Sequence, residues 1–525
     1  MSSLFSVAQI RAIEQAATSH LPIGSLMQKA GAASARLAIE LLPGAHGLCK
    51  VLVLVGPGNN GGDALETAVR LAHSGIQVSA IVFTPTQTRS SEAKAALQRA
   101  QASTINFISP SSIGDSTSAI TSTRWSLVID GLFGIGLQRP IVGHLANLVE
   151  AIRHLHCPVL ALDVPSGLDA DTGNVIGQAE HHGVAIRATH TISFIGDKPG
   201  LHTAQGRDYA GQVHIARLEI DSKFFVNSHV ELIKLSMFAR FLKPRLHHSH
   251  KGSFGSVVVV GGANGMTGAP ILAARCALHA GAGRAHIAFV QDKHAIQGAQ
   301  YPLFDPLQAE IMCHNAHDFD FVNQVQVIGP GLGTSRHACQ FLSLALNSDS
   351  PLVLDADALN LIALEEQLQA QLQKRKALSI LTPHPLEAAR LLGHVAGGAD
   401  VVQANRLAAA AQLAQRFQVC VILKGSGSVI ANPHGHLVIN TTGNPALASA
   451  GSGDVLAGLC GALLAQHWPT WEAALAACWL HGKAADRLVE QGCGPIGLVA
   501  SELIGAIRRE LNLQVAEHAE HKRQA

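Results

Sequence analysis

Residues 51–72 read VLVLVGPGNNGGDALETAVRLA: a short apolar strand, a glycine-rich turn and a segment of helical period. Leu65, Val69 and Ala72, at i, i+4 and i+7, give the helix one apolar stripe. Gly56, Gly58, Gly61 and Gly62 let backbone approach a ligand, and the amides at a helix start favour anions. The turn satisfies GxGxxG, which alone is weak evidence. The next strand, QVSAIVF, ends in Thr84-Pro85 with no acid for a ribose hydroxyl, so an ordinary Rossmann dinucleotide site is not expected. No lysine completes a Walker A loop. Asn59, Asn60 and Asp63 instead suit a hard cation or a polar ligand. An Asn-Gly turn with a helix cap is the plainer alternative.

The same alternation runs outward in both directions. Strands are expected near 51–55, 77–83, 126–130, 158–162 and 190–194, with helices near 6–19, 25–42, 63–74, 91–101 and 144–154. A second series begins with SVVVVGG (256–262). It continues with strands near 284–290, 325–329, 351–354, 378–381, 420–424 and 428–431, and helices near 268–280, 335–346, 400–416, 453–465 and 470–488. Between them, 221–252 holds a mixed helix and the His-rich PRLHHSHKGSFG. The expected fold class is α/β with two different domains, a Rossmann-like αβα sandwich over 1–225 and a second αβα domain over 226–525, and no internal repeat.

Composition narrows the function. With 38 Lys and Arg against 37 Asp and Glu, the charge of +1 disfavours nucleic acid or an anionic membrane as partner. The nine cysteines never fall at CxxC spacing, which argues against a zinc knuckle or disulfide framework and fits a reducing cytosol. The N-terminus has no secretory pattern, and the apolar stretch 446–465 is rich in Gly and Ser with Asp454 inside it. A soluble cytoplasmic enzyme is expected.

Two more loops follow strand ends. LVIDGLFGIGLQRP (127–140) places Asp130 before a glycine-rich turn, and LALDVPSGLDADTG (160–173) places Asp163 and Ser166 likewise. A lone Asp after a strand is more often a cap or turn residue. Three such loops at the carboxyl ends of strands are expected to converge on a ligand.

GPGNNGGD, DGLFGIGL and DVPSGLDADTG together resemble the NAD(P)H-hydrate epimerase domain over roughly residues 5–220. The resemblance implies that Asn59, Asn60, Gly61, Gly62 and Asp63 line the hydrated nicotinamide nucleotide. Gly134, Ile135, Gly136, Leu137, Gln138, Arg139 and Pro140 would join them, and Asp163 would touch the same ligand. Asn60, Asp130 and Ser166 would hold a potassium ion, with Asp130 also the acid/base group near the reacting carbon. Two positions depart from the family pattern: Gln28 stands for an acid and Ala64 for a glycine.

In the second half, Thr267 is a candidate N-cap, LVLDADALN (352–360) ends a strand with Asp355, Asp357 and Asn360, and LTPHPLEAARLLG (381–393) flanks His384 with Pro383 and Pro385. The decisive stretch is TTGNPALASAGSGDVLAGLCGALLA (441–465). Gly451, Ser452 and Gly453 offer successive amides where a helix begins, a device for holding phosphate charge. Asp454 in the first turn can accept a hydroxyl proton while those amides hold the phosphoryl group. VILKGSGSVIA (421–431) adds Lys424 and a second glycine-rich turn.

KGSFG, GGANGMTGA, GPGLG, LDADALN, LTPHP, LKG and AGSGD, in that order, resemble the ribokinase-like ADP/ATP-dependent NAD(P)H-hydrate dehydratases over about 235–512. The resemblance implies that Ala269, Gly331 or Gly333, His384 and Asp454 contact the hydrate. Lys424, Gly425, Ser426, Gly427, Ser428 and Gly453 would bind the adenine nucleotide. It implies a bifunctional repair enzyme for NADHX and NADPHX that uses K+ in one domain and Mg2+ with ADP or ATP in the other. A homo-oligomer is expected. The alternative from the GSGD site alone is a small-metabolite kinase with a non-catalytic N-terminal binding module.

Overall fold

The computed structural model describes residues 3–44, 48–83, 90–109, 118–177, 183–290, 302, 304–394 and 398–524. Thr84-Pro85 lies outside them. The chain divides into two compact units, Ser3–Val230 and Glu231–Ala525.

In the first unit a seven-stranded sheet is parallel throughout. It comprises β1 (Lys50–Val55), β2 (Gln77–Val82), β3 (Asn106–Ile108), β4 (Leu127–Gly131), β5 (Val159–Leu162), β6 (His190–Phe194) and β7 (Gln212–Ala216), in the order 3-2-1-4-5-6-7. β1 shows why the run is apolar. Val51, Val53 and Val55 enter the core on one face, while Leu52 and Leu54 enter a second core on the other. A strand covered on both faces has no polar side to show. β2 and β4 flank β1, so the connections leave in opposite directions and a crevice opens between the ends of β1 and β4.

The second unit repeats the plan on a larger sheet. Its strands are β8 (Val230–Leu232), β9 (Ser256–Gly261), β10 (Arg284–Phe289), β11 (Met312–Asn315), β12 (Val325–Ile328), β13 (Leu352–Leu354), β14 (Ser379–Leu381), β15 (Cys420–Leu423), β16 (Val429–Ala431) and β17 (Leu437–Ile439). The order is 11-10-9-12-13-14-15-16-17-8, parallel from β11 to β15 and antiparallel from β15 to β17. Here the crevice lies between β9 and β12. The helix Ser452–Ala465 is buried from Val455 to Ala465. It runs so close to the helix Gly268–His279 that a Cβ on Gly458 would sit 2.1 Å from the Ala273 carbonyl.

The expected strands are present, and the structure adds β3, β7, β8, β11 and β17. These are short, and β3, β7 and β8 contain no fully buried residue, so they leave no apolar run to read. The helix expected from 63 starts at Asn59, because the Asn-Asn-Gly-Gly turn is its first turn. The helix expected at 400–416 is two, Gly398–Ala404 and Arg406–Phe417, with Asn405 capping the second. Segment 221–252 holds 3-10 turns, not a mixed helix. Helices Ala356–Leu364, Glu366–Lys374, Pro385–Leu392 and Ala500–Gln524 were not anticipated.

Candidate functional site

The crevice of the first unit opens into a cavity of about 1010 Å³. Asn59, Asn60, Asp63, the run Gly134–Arg139 and Asp163 line it, as do Glu14 and Arg11 from the first helix, Val7–Thr18. The three loops therefore converge. Gly61, Gly62 and Pro140 are not part of the wall. A Cβ on Gly61 would lie 2.1 Å from the Gly56 carbonyl, so this glycine lets the helix close on the turn instead of meeting a ligand. Ala64 also packs inward, against Gly131.

Asp130 sits behind the wall. It is 0% exposed and accepts from Ser166 N at 2.8 Å, Ser166 Oγ at 2.6 Å and Leu132 N at 3.2 Å. Burial pushes its carboxyl up to about 6 against the pull of those bonds. Asp130 is not among the residues that line the cavity, and its oxygens are engaged by Leu132 and the Ser166 loop. Asn60 is its counterpart. The side chain is 8% exposed, and neither its Oδ1 nor its Nδ2 has a hydrogen-bond partner. A buried amide without partners costs about 1–3 kcal/mol. An oxygen-seeking cation among Asn60, Asp130 and Ser166 would relieve that cost, so these residues fit potassium.

Asp163 faces the cavity from a left-handed backbone, φ 67°. Its Oδ1 takes a 2.8 Å ion pair from Lys198, which is 0% exposed and also donates to Ser193 Oγ and the carbonyls of Phe194 and Gly196. Its Oδ2 accepts from Ile135 N at 3.4 Å. Asp63 has no such cation among the described residues. Burial, then the charges of Asp163 and Glu14, push it well above the usual carboxylate range. Lys198 escaped the sequence reading because nothing local marks it; it lies 35 positions from its partner.

In the second unit the loops after β9, β12, β13, β14 and β15 gather at one sheet end. Gly331 and Gly333 adopt left-handed backbones, and the loop is stitched to the first turn by the bond from Ala263 N to Gly331 O. Asp357 accepts from Gly333 N at 2.8 Å, so that amide is taken. Ala269 is half-buried in the first turn of the helix Gly268–His279. Thr267 precedes it, but its backbone is helical and its hydroxyl makes no capping bond, which corrects that expectation.

The helix Ser452–Ala465 starts from Gly451 in the left-handed region, φ 87°. A Cβ there would strike Leu272 at 2.6 Å. Of the three expected amides, Ser452 N is engaged by Ser449 O at 3.3 Å. Gly453 and Asp454 stand at the next two positions of the first turn, where amides lack intrahelical partners. Asp454 is half-buried, and no described group hydrogen-bonds its carboxylate. Burial and the charge of Asp355 lift it to about 6, with Lys424 pulling down. Such a value suits a proton acceptor near neutrality.

Lys424 is committed. Its Nζ lies 2.7 Å from Asp355 Oδ1 and 3.9 Å from Glu387 Oε2. A Cβ on Gly453 would be 3.3 Å from the same Nζ, so the ammonium abuts the first turn of the helix Ser452–Ala465. Gly425 has φ 141°, and its α-carbon rests on the buried Arg406 guanidinium. Ser428 Oγ donates to Gly425 O, closing the Gly425–Ser428 turn with Ser426 and Gly427 inside it. His384 caps the helix Pro385–Leu392 through Nδ1.

A family profile described as YjeF-related protein N-terminus matches residues 24–200, and one described as NAD(P)H-hydrate dehydratase matches 257–509. The bifunctional NAD(P)H-hydrate repair enzyme of Coxiella burnetii is 34% identical over 98% of this chain and 100% of its own. The Escherichia coli enzyme of that name is 34% identical over 95% of this chain and 91% of its own. A solved ADP/ATP-dependent NAD(P)H-hydrate dehydratase from Bacillus subtilis, co-crystallized with ATP/Mg2+, is 30% identical, with a TM-score of 0.46. The match covers 54% of this chain and 97% of that one.

Proposed function

The chain belongs to the bifunctional NAD(P)H-hydrate repair enzymes, and from that premise we propose how its residues divide the work. The protein is an epimerase of hydrated NADH and NADPH in its first unit and an ADP/ATP-dependent dehydratase of the same hydrates in its second. A kinase with an inert N-terminal module does not account for relatives that match through both units.

In the first unit Asn60, Asp130 and Ser166 would hold potassium, which would supply a fixed positive charge beside the bound hydrate. Asn59, Gly134–Arg139 and Asp163 bind the nucleotide. Acid and base are Asp63 and Asp163. Burial and the neighbouring carboxylates raise Asp63 well above the usual carboxylate range, which suits a donor, while Asp163 is ion-paired with Lys198, and neighbouring carboxyls so distinguished can donate and accept in one cycle.

The dehydratase proposal rests on Asp454, whose carboxylate is unengaged at a helix start backed by an ammonium. Asp454 takes the proton of the C6 hydroxyl as that oxygen attacks the terminal phosphorus of ADP or ATP. The O–H bond breaks, an O–P bond forms, and AMP or ADP leaves. The C6–O bond then breaks with loss of phosphate, and loss of the C5 proton restores the dihydropyridine. The first-turn amides of Gly453 and Asp454 hold the phosphoryl oxygens. Lys424 and the turn Gly425–Ser428 bind the nucleotide, and Ala269, Gly331, Gly333 and His384 bind the hydrate. Magnesium, arriving with the nucleotide, supplies charge neutralisation. The assembly is a homo-oligomer in the cytoplasm; light scattering of the pure protein checks the first. Among the described residues no helix is long and apolar enough to cross a membrane.

The test follows dihydropyridine absorbance as the protein acts on mixed R and S NADH hydrate with ADP or ATP. Full recovery, with one phosphate released per hydrate, is expected. Recovery of half would sink the epimerase assignment, and a stable phosphorylated product would favour a kinase.

A further inference from the structure

The helix Pro385–Leu392 opens with a reciprocal capping box whose N-cap is a histidine. His384 Nδ1 accepts from Leu386 N at 3.1 Å and Glu387 N at 3.3 Å, and His384 N donates to Glu387 Oε2 at 2.7 Å. With the Nδ1 lone pair in use, the ring proton belongs on Nε2. That nitrogen lies 3.2 Å from Glu387 Oε1. Glu387 therefore fixes the His384 backbone with one carboxylate oxygen and abuts its ring with the other.

A cap alone does not explain this carboxylate. Caps are worth about 1 kcal/mol and work well on the surface, whereas a buried charge costs several kcal/mol unless paired. Glu387 is buried, at 4% exposure, and Oε2 approaches Lys424 Nζ, whose charge Asp355 already balances. The carboxylate thus lies between the histidine that faces the hydrate and the lysine that abuts the phosphate turn.

We propose that Glu387 is a positioning residue of the dehydratase: its one carboxylate holds the His384 ring and the Lys424 ammonium in register, so that hydrate and phosphate meet in line. This rests on the dehydratase reading above. Only the ionised form can balance the Lys424 cation while it accepts from the His384 amide. Facing Glu387 are His384, Lys424, Asp355 and Arg390, with Asp454 beyond Lys424. Burial, then Asp355, pushes Glu387 up to about 7, against the pull of Lys424, the His384 amide and Arg390.

The experiment measures kcat/KM for the S hydrate against pH in the full chain and in Glu387→Gln and Glu387→Asp. The wild type should gain activity through two steps, near 6 for Asp454 and near 7 for Glu387. E387Q keeps an amide oxygen for the cap but no charge. It should lose the upper step and roughly 10- to 100-fold in kcat/KM, with KM for the hydrate rising. E387D, charged but shorter, should restore the upper step without restoring the rate. An E387Q profile that matches the wild type in height and shape overturns the proposal. Should E387Q fail to fold by circular dichroism, the wild-type profile decides, because no step near 7 overturns it equally. A wild type that dehydrates nothing defeats the dehydratase reading instead.

Discussion

Asp130 and Asp454 are carboxyl groups that burial lifts to about 6, one in each unit, and they arrive there differently. Asp130 is sealed and spends its oxygens on three hydrogen bonds from Ser166 and Leu132. Asp454 is half-exposed, bonded to no described group, and raised further by Asp355. Similar affinity for a proton therefore goes with different uses. A carboxylate whose lone pairs are shared with fixed donors is held in place; one with open oxygens at a helix start is free to meet a ligand, as the proposed function requires. The same contrast separates Asp163, paired with a buried lysine, from Asp63, which burial and neighbouring carboxylates raise well above the usual range.

The sharpest way to break this comparison is Asp454→Asn. It should lower dehydration roughly 100- to 10,000-fold and leave epimerisation at its wild-type rate, as followed by dihydropyridine recovery and by chromatography of the R and S hydrates. Equal loss of both activities would contradict two separate sites. Next in size is Lys198→Met, which strands Asp163 as an unpaired buried charge. It should destabilise the first unit by about 3–5 kcal/mol, read as a lower denaturant midpoint for that unit.

Asn60→Leu sharpens the ion assignment, since it removes two unpartnered polar atoms at near-constant volume. Epimerase stimulation by potassium should fall roughly 10- to 100-fold, while thermal stability in potassium-free buffer should not drop. A large loss of stability there would show that the amide serves the fold. The dehydratase itself should lose about tenfold in kcat/KM for each pH unit below about 6, as Asp454 is protonated, whereas activity that persists to pH 4 would exclude it as base. Smallest is Ser6→Ala. It deletes one side of the capping box that opens the helix carrying Glu14 and should cost about 1 kcal/mol in chemical unfolding.

Much of this site is legible because its chemistry is local. GPGNNGGD joins a strand end to a helix start, DGLFGIGL carries a strand end into its loop and AGSGD opens a helix, so each short window contains both backbone amides and a carboxylate. The roles of Gly61, Gly62 and Asp130 are not legible that way. Whether a glycine lines a cavity or admits a neighbouring carbonyl depends on what packs against it, and whether an aspartate looks into the crevice depends on the Ser166 loop 36 positions on. The short edge strands stay hidden for a related reason: with no buried face they carry no hydrophobic period.

Alternating apolar runs, turn glycines and acids at strand ends were enough to set an α/β plan of largely parallel strands and the loops that gather at their carboxyl ends, because each depends on neighbours along the chain. Pairing between distant side chains was decided only by the folded arrangement. Lys198 with Asp163, Lys424 with Asp355 and Glu387, and the isolation of Asn60 beside Asp130 all follow from which strands lie side by side. Strand order is a long-range outcome of covering two sheet faces, and no short window contains it.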